Sequence, residues 1–132
     1  MNKIVKGLMI AGTLGASLMA FTRTADAKDK DGNIVIVIDP GHGGEDPGSL
    51  ATTGATESKC NYAIAEVMKK ELSKYDGVKV YLTREEDTWM TNMGRAMIAA
   101  DLNADFLISI HNNSGSDTNT GALAFRSLNS YY

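Results

Sequence analysis

From Asn33 to Asp39 the chain reads Asn-Ile-Val-Ile-Val-Ile-Asp, an unbroken apolar and β-branched run. Alternating polarity marks a strand with one wet face, whereas a run without alternation marks a strand buried on both. Such a strand belongs inside a sheet covered by helices, which points to an α/β domain. The run stops at Pro40-Gly41-His42-Gly43-Gly44. The stretch from Pro40 to Gly54 holds both prolines of the chain among repeated glycines, so it is a loop.

The elements that follow fit the same class. Cys60, Ile64, Val67, Met68, Leu72 and Tyr75 fall at helical spacing between Glu57 and Tyr75, with Thr56 as N-cap and Gly77 beyond the end. On this reading Cys60 is an inert core residue. Val78–Leu82 is a second strand. Thr91–Asn103 is a second helix with Met93, Ala96, Met97 and Ala100 on one stripe. Phe106–Ile110 is a third strand, and Gly121–Phe125 is a candidate fourth. Trp89, Met90, Met93 and Met97 read as core and helix-entry packing. The order β-α-β-α-β implies right-handed crossovers. The expected architecture is three-layered, a mostly parallel or mixed sheet with helices on both faces.

The first 27 residues belong to no such domain. Lys3 and Lys6 precede an uncharged stretch from Gly7 to Thr22, and Ala25-Asp26-Ala27 supplies the small residues that a signal peptidase accepts. The apolar stretch is shorter than the ~20 residues of a spanning helix. Residues 1–27 are therefore expected to be a cleaved signal peptide, 28–32 a linker and 33–132 the domain. Export follows, to the cell wall or medium, or to the periplasm of a Gram-negative cell, with no stable membrane insertion after cleavage. Removing Lys3, Lys6, Arg23 and Asp26 turns 13 basic and 16 acidic residues into 10 and 15, which leaves no basic surface for nucleic acid. With Cys60 as sole cysteine, no intrachain disulfide forms. Packing must hold the fold, with a bound metal ion as the other available source of stability. The oligomeric state stays open.

Both histidines of the chain, His42 and His111, come directly after apolar strands. If the first strand lies between the second and third, a switch point forms at their carboxyl ends, where open α/β sheets place ligands. Two imidazoles then converge on one ion. Glu57, in the first turn of the first helix, is the best third ligand. Glu45 and Asp46, in the glycine loop, are weaker candidates. Two histidines and one carboxylate with a fourth position open make the catalytic type of zinc site. Asp39 either supports a histidine ligand or merely ends its strand. Arg84 and Arg95 either orient loops near the site or form solvent-facing ion pairs.

The stretch Ile36 to Gly48, containing Val-Ile-Asp-Pro-Gly-His-Gly-Gly-Glu-Asp-Pro-Gly, resembles the opening motif of zinc-dependent N-acetylmuramoyl-L-alanine amidases of the AmiC and CwlV type. Gly54-Ala55-Thr56-Glu57 with Asn61, Ala63 and Ala65 resembles their second ligand segment. Leu82-Thr83-Arg84 with Asp87, then Arg95, Ala99, Ala104-Asp105, Ser109-Ile110-His111 and Gly121-Ala122 follow in the family's order. The resemblance implies zinc on His42, Glu57 and His111, and peptidoglycan as substrate. The reaction it implies is hydrolysis of the amide between N-acetylmuramic acid and L-alanine. Ser58, Ala100 and Asn112 depart from the family's usual residues. A larger departure concerns the catalytic general-base glutamate, which the family carries on a late strand in a Leu-Val-Glu-Gly-Phe type of segment. No such segment occurs in the 21 residues after His111, so the chain is expected to be a fragment lacking the domain's last elements. The catalytic residue is therefore unassigned. Two alternatives stand beside the amidase: a non-catalytic metal-binding fragment or wall-binding module, and a different secreted zinc amidohydrolase on the same scaffold.

Overall fold

The computed structural model describes residues 29–115 and 121–126. The proposed signal peptide lies outside them. The elements are β1 (Ile34–Pro40), α1 (Glu57–Leu72), β2 (Val78–Leu82), α2 (Asn92–Asp101) and β3 (Phe106–Ile110). Each expected strand and helix is present, within three residues at either end. The candidate strand at Gly121–Phe125 is not one: those residues are irregular and exposed. A strand exists only when its backbone groups pair with a neighbour, and apolar composition alone does not supply one.

The three strands form one parallel sheet in the order β2-β1-β3. Ile38 sits opposite Leu82 on one side and Ile108 on the other. This is the order that creates a switch point at the end of β1.

Successive residues of a strand face opposite sides of the sheet. On one side, Ile38 and Val80 are buried with Ala65 of α1, and Ile36, Met68, Leu72, Val78, Leu82 and Ile110 pack around them. On the other lie Val35, Val37 and Asp39, all buried, and α2 reaches that face through Arg95, which bonds Asp39. The three-layer expectation holds.

The faces that the two helices bury differ from the apolar stripes in their sequences. α1 buries Glu57, Ser58, Asn61 and Ala65, while Cys60 is exposed and Ile64 and Val67 are 47% and 62% exposed. α2 buries Arg95 and Ala99, while Met93 and Met97 are 71% and 56% exposed. Trp89 is exposed too. The core assignments of Cys60, Trp89, Met93 and Met97 are thus corrected. The reason is geometric. The buried helix faces approach the sheet through small residues and carry the polar groups that assemble the site, so their hydrophobicity is low. Thr56 does precede α1, but its side chain caps no helix N–H, whereas Thr91 accepts from Gly94 N at the start of α2.

Candidate metal centre

The loop after β1 begins with three carbonyl groups, and two buried arginines hold all of them. Arg84, just past β2, donates from Nε to Pro40 O at 2.8 Å and from Nη2 to Gly41 O at 3.1 Å. Its remaining bonds go to the carbonyls of Ser58, Glu85 and Glu86. Arg95 donates to Pro40 O at 2.9 Å and to His42 O at 2.8 Å. Asn61, fully buried on α1, adds a bond to Gly41 O. Both arginines orient the loop that carries His42, and neither forms a solvent-facing ion pair.

Asp39 is the anchor of this arrangement. Its carboxylate accepts from Thr83 Oγ1 at 2.6 Å, Arg95 Nη1 at 2.7 Å and Ser109 Oγ at 2.7 Å. One side chain thus joins the tips of all three strands to α2. Burial works against its charge, but these three donors outweigh burial and hold the carboxyl below its ordinary range. Asp39 makes none of its bonds to a histidine, so its role is neither of the two expected.

Beyond this knot the chain turns sharply. His42 takes a left-handed backbone, φ 62°, which is costly for a residue with a Cβ. Its Nε2 lies 3.2 Å from Glu57 Oε1. His111, directly after β3, places Nδ1 3.1 Å from the same oxygen. The two rings meet edge to face with centroids 4.8 Å apart. One donor atom from each of His42, Glu57 and His111 lies within 4.8 Å of the others, so the three can hold a metal ion. Atoms that ligate a tetrahedral ion from about 2.0–2.1 Å stand about 3.3 Å from one another. The two nitrogen–oxygen separations already match that edge.

The surroundings keep Glu57 ionised and orient the His42 ring. Burial raises the pKa of Glu57, but the hydroxyl and amide of Ser49, the amide of Asn112 and the His111 ring bring it down to about 2. Ser49 Oγ and N stand 2.7 and 3.0 Å from Oε2, and Asn112 N stands 3.0 Å from Oε1. His42 Nδ1 faces Asp46 Oδ2 at 2.8 Å. A proton on Nδ1 given to that carboxylate leaves Nε2 with a free lone pair. Gly41 is needed because a Cβ there would overlap the His111 ring.

The three residues expected to gather are therefore gathered. Glu45 is exposed, and Asp46 serves His42 instead of joining the cluster. Sequence reasoning missed the support from Ser49, Asn61, Thr83 and Ser109. Only Asp46 had a readable signal, a carboxylate four residues after a histidine in a glycine turn.

A family model for N-acetylmuramoyl-L-alanine amidases matches residues 36–132. The chain is 38% identical over 82 residues to N-acetylmuramoyl-L-alanine amidase AmiC of Escherichia coli O6:H1, covering 62% of this chain and 20% of that protein. It is 40% identical over 86 residues to the sporulation-specific N-acetylmuramoyl-L-alanine amidase of Bacillus subtilis, covering 64% and 33%. Among solved structures, the N-acetylmuramoyl-L-alanine amidase of Clostridium difficile 630 aligns with a TM-score of 0.63 at 36% identity, over 68% of this chain and 49% of that one. The chain thus spans about half of that solved relative and a fifth to a third of the curated ones.

Proposed function

Because the chain belongs to the N-acetylmuramoyl-L-alanine amidase family, we propose that it binds zinc through His42, Glu57 and His111 and acts on the amide between N-acetylmuramic acid and L-alanine in peptidoglycan. The observation that carries this reading is the convergence of those three donors, from three separate elements, within 4.8 Å. Export directed by residues 1–27 and a place at the cell wall belong to the same proposal. No helix among the described residues is long and apolar enough to cross a membrane.

Zinc held there supplies Lewis-acid polarisation of an amide carbonyl and acidifies water. The chain does the rest. Glu57 stays ionised through Ser49 and Asn112, Asp46 fixes the His42 ring, and Arg84 and Arg95 hold the loop at its carbonyls. The proton taken from water and the proton given to the leaving amine have no assigned residue. The second reading, a metal-holding module without turnover, is favoured by the engagement of the two carboxylates nearest the histidines: Glu57 belongs to the donor cluster and Asp46 is bonded to His42.

Digestion of purified peptidoglycan, scored by new L-alanine amino termini, separates the two. Release that depends on zinc supports the amidase. No release from a zinc-loaded chain supports the module.

Two variants probe the centre further. Asp46→Asn keeps the shape but removes the carboxylate that orients His42, and is expected to weaken zinc binding by about 10–100-fold in a competitive chelator titration. Gly41→Ala places a methyl group in the space of the His111 ring. Overpacking of this kind costs about 1–3 kcal/mol. The expected result is a weaker zinc complex with the far-ultraviolet circular dichroism unchanged.

A further inference from the structure

Beside the three donors opens a cavity of about 670 Å³, whose lining includes His42, His111, Asp46, Arg95, Trp89 and Leu107. Trp89 is 56% exposed and follows no apolar stripe. It is nevertheless tied to the centre. Gly44, two residues after His42, packs so closely that a Cβ there would lie 2.7 Å from the Trp89 amide nitrogen and 2.9 Å from its Cβ. A large indole left half in solvent, on a wall shared with the candidate metal centre, is a contact surface awaiting a partner with an apolar face and polar edges.

Charge selects between the two halves of the proposed substrate. Residues 85–94, which carry Trp89, hold Glu85, Glu86 and Asp87 and no basic residue, and the loop packed against them holds Glu45 and Asp46, of which Asp46 lines the cavity. Arg95, the next cation, is buried against Asp39 at 2.7 Å. Acidic segments beside the cavity, with Asp46 in its wall, disfavour the carboxylates of a stem peptide. They accept an uncharged pyranose, whose C–H face and N-acetyl methyl suit an indole.

We propose that Trp89 is the platform for the N-acetylmuramyl sugar, seating it so that the lactyl amide reaches the donor cluster while the peptide leaves in another direction. This rests on the amidase reading of the site, and it makes Trp89 a binding residue that selects the glycan side.

Trp89 is the only tryptophan in the chain, so its fluorescence reports on this position alone. The zinc-loaded full chain is titrated with N-acetylmuramoyl-L-alanine, N-acetylglucosamine and L-alanyl-D-glutamate. Both sugar-bearing probes are expected to move the emission to shorter wavelength, saturably, and the dipeptide to leave it unchanged. A flat response to both sugars, or an equal response to the dipeptide, overturns the proposal. By calorimetry, Trp89→Ala is expected to bind N-acetylmuramoyl-L-alanine about tenfold more weakly, and Trp89→Phe to stay within about threefold. Equal affinity in the alanine variant also overturns it. Zinc content is measured in parallel. A chain that holds no zinc yet shows the sugar response keeps the platform while losing the metal reading, and a zinc-loaded chain without the response does the reverse.

Discussion

Asp39→Ala is expected to lower the stability of the domain by about 3–5 kcal/mol, the cost of removing one member of a buried ion pair. Domains as a class hold only about 5–15 kcal/mol in reserve. Asp39 is 5% exposed and Arg95 6% exposed, so the guanidinium could not turn to water without opening the fold. Thr83 and Ser109 would also lose their acceptor, and an unmet buried polar group adds its own penalty. Urea unfolding followed by circular dichroism measures the loss, and an unchanged midpoint would show that the knot does not hold the sheet. Asp39→Asn is the informative companion, keeping shape while removing charge. The native pKa of Asp39 is depressed, so its contribution is complete above the unfolded value near 3.9 and disappears as pH falls through the native one. The parent midpoint should therefore fall as pH drops below about 4, and Asp39→Asn should be weaker throughout but with a shallower acid slope. Part of the slope should survive, since Asp46 and Glu57 are depressed in the same direction.

His111→Ala tests the opposite property, with function lost and fold kept. The side chain is 46% exposed, so truncation removes little packing. Losing one of three proposed ligands is expected to weaken zinc binding by more than the ~10–100-fold typical of an outer-sphere residue. In a dialysed sample the metal content should fall from near one equivalent to near none, with the urea midpoint of the metal-free form unchanged. Zinc retained in full by the variant would remove His111 from the centre, and with it the amidase reading. The pair of variants separates the two layers of this site: Asp39 builds the platform, and His111 uses it.

That separation also describes what could be read from the residues. The unbroken run Ile34–Ile38 announced a strand buried on both faces, while the order with that strand in the middle stood only as the condition for two histidines to meet, and the sheet has that order. Their third partner was legible through position, since Glu57 opens α1 next to the loop that carries His42. The buried faces of the helices were not. Periodicity finds hydrophobic residues, and α1 and α2 bury Asn61, Ser58 and Arg95 instead. Asn61 and Arg95 bond to loop carbonyls distant in sequence, and no local pattern encodes such a pairing. Asp39 illustrates the same limit. Its three donors come from positions 83, 95 and 109, and only the assembled sheet puts them within reach of one carboxylate.

The placement of β1 between β2 and β3 also sets a timetable. The strand synthesised first occupies the middle, so it must wait for both neighbours. Asp39 and Ser109 are 70 positions apart, and contacts this distant slow folding because the intervening chain must be gathered before they form. Until Ile110 has emerged, Ile34–Ile38 is an apolar ribbon with at least one open edge, the kind of segment that sticks to others of its kind.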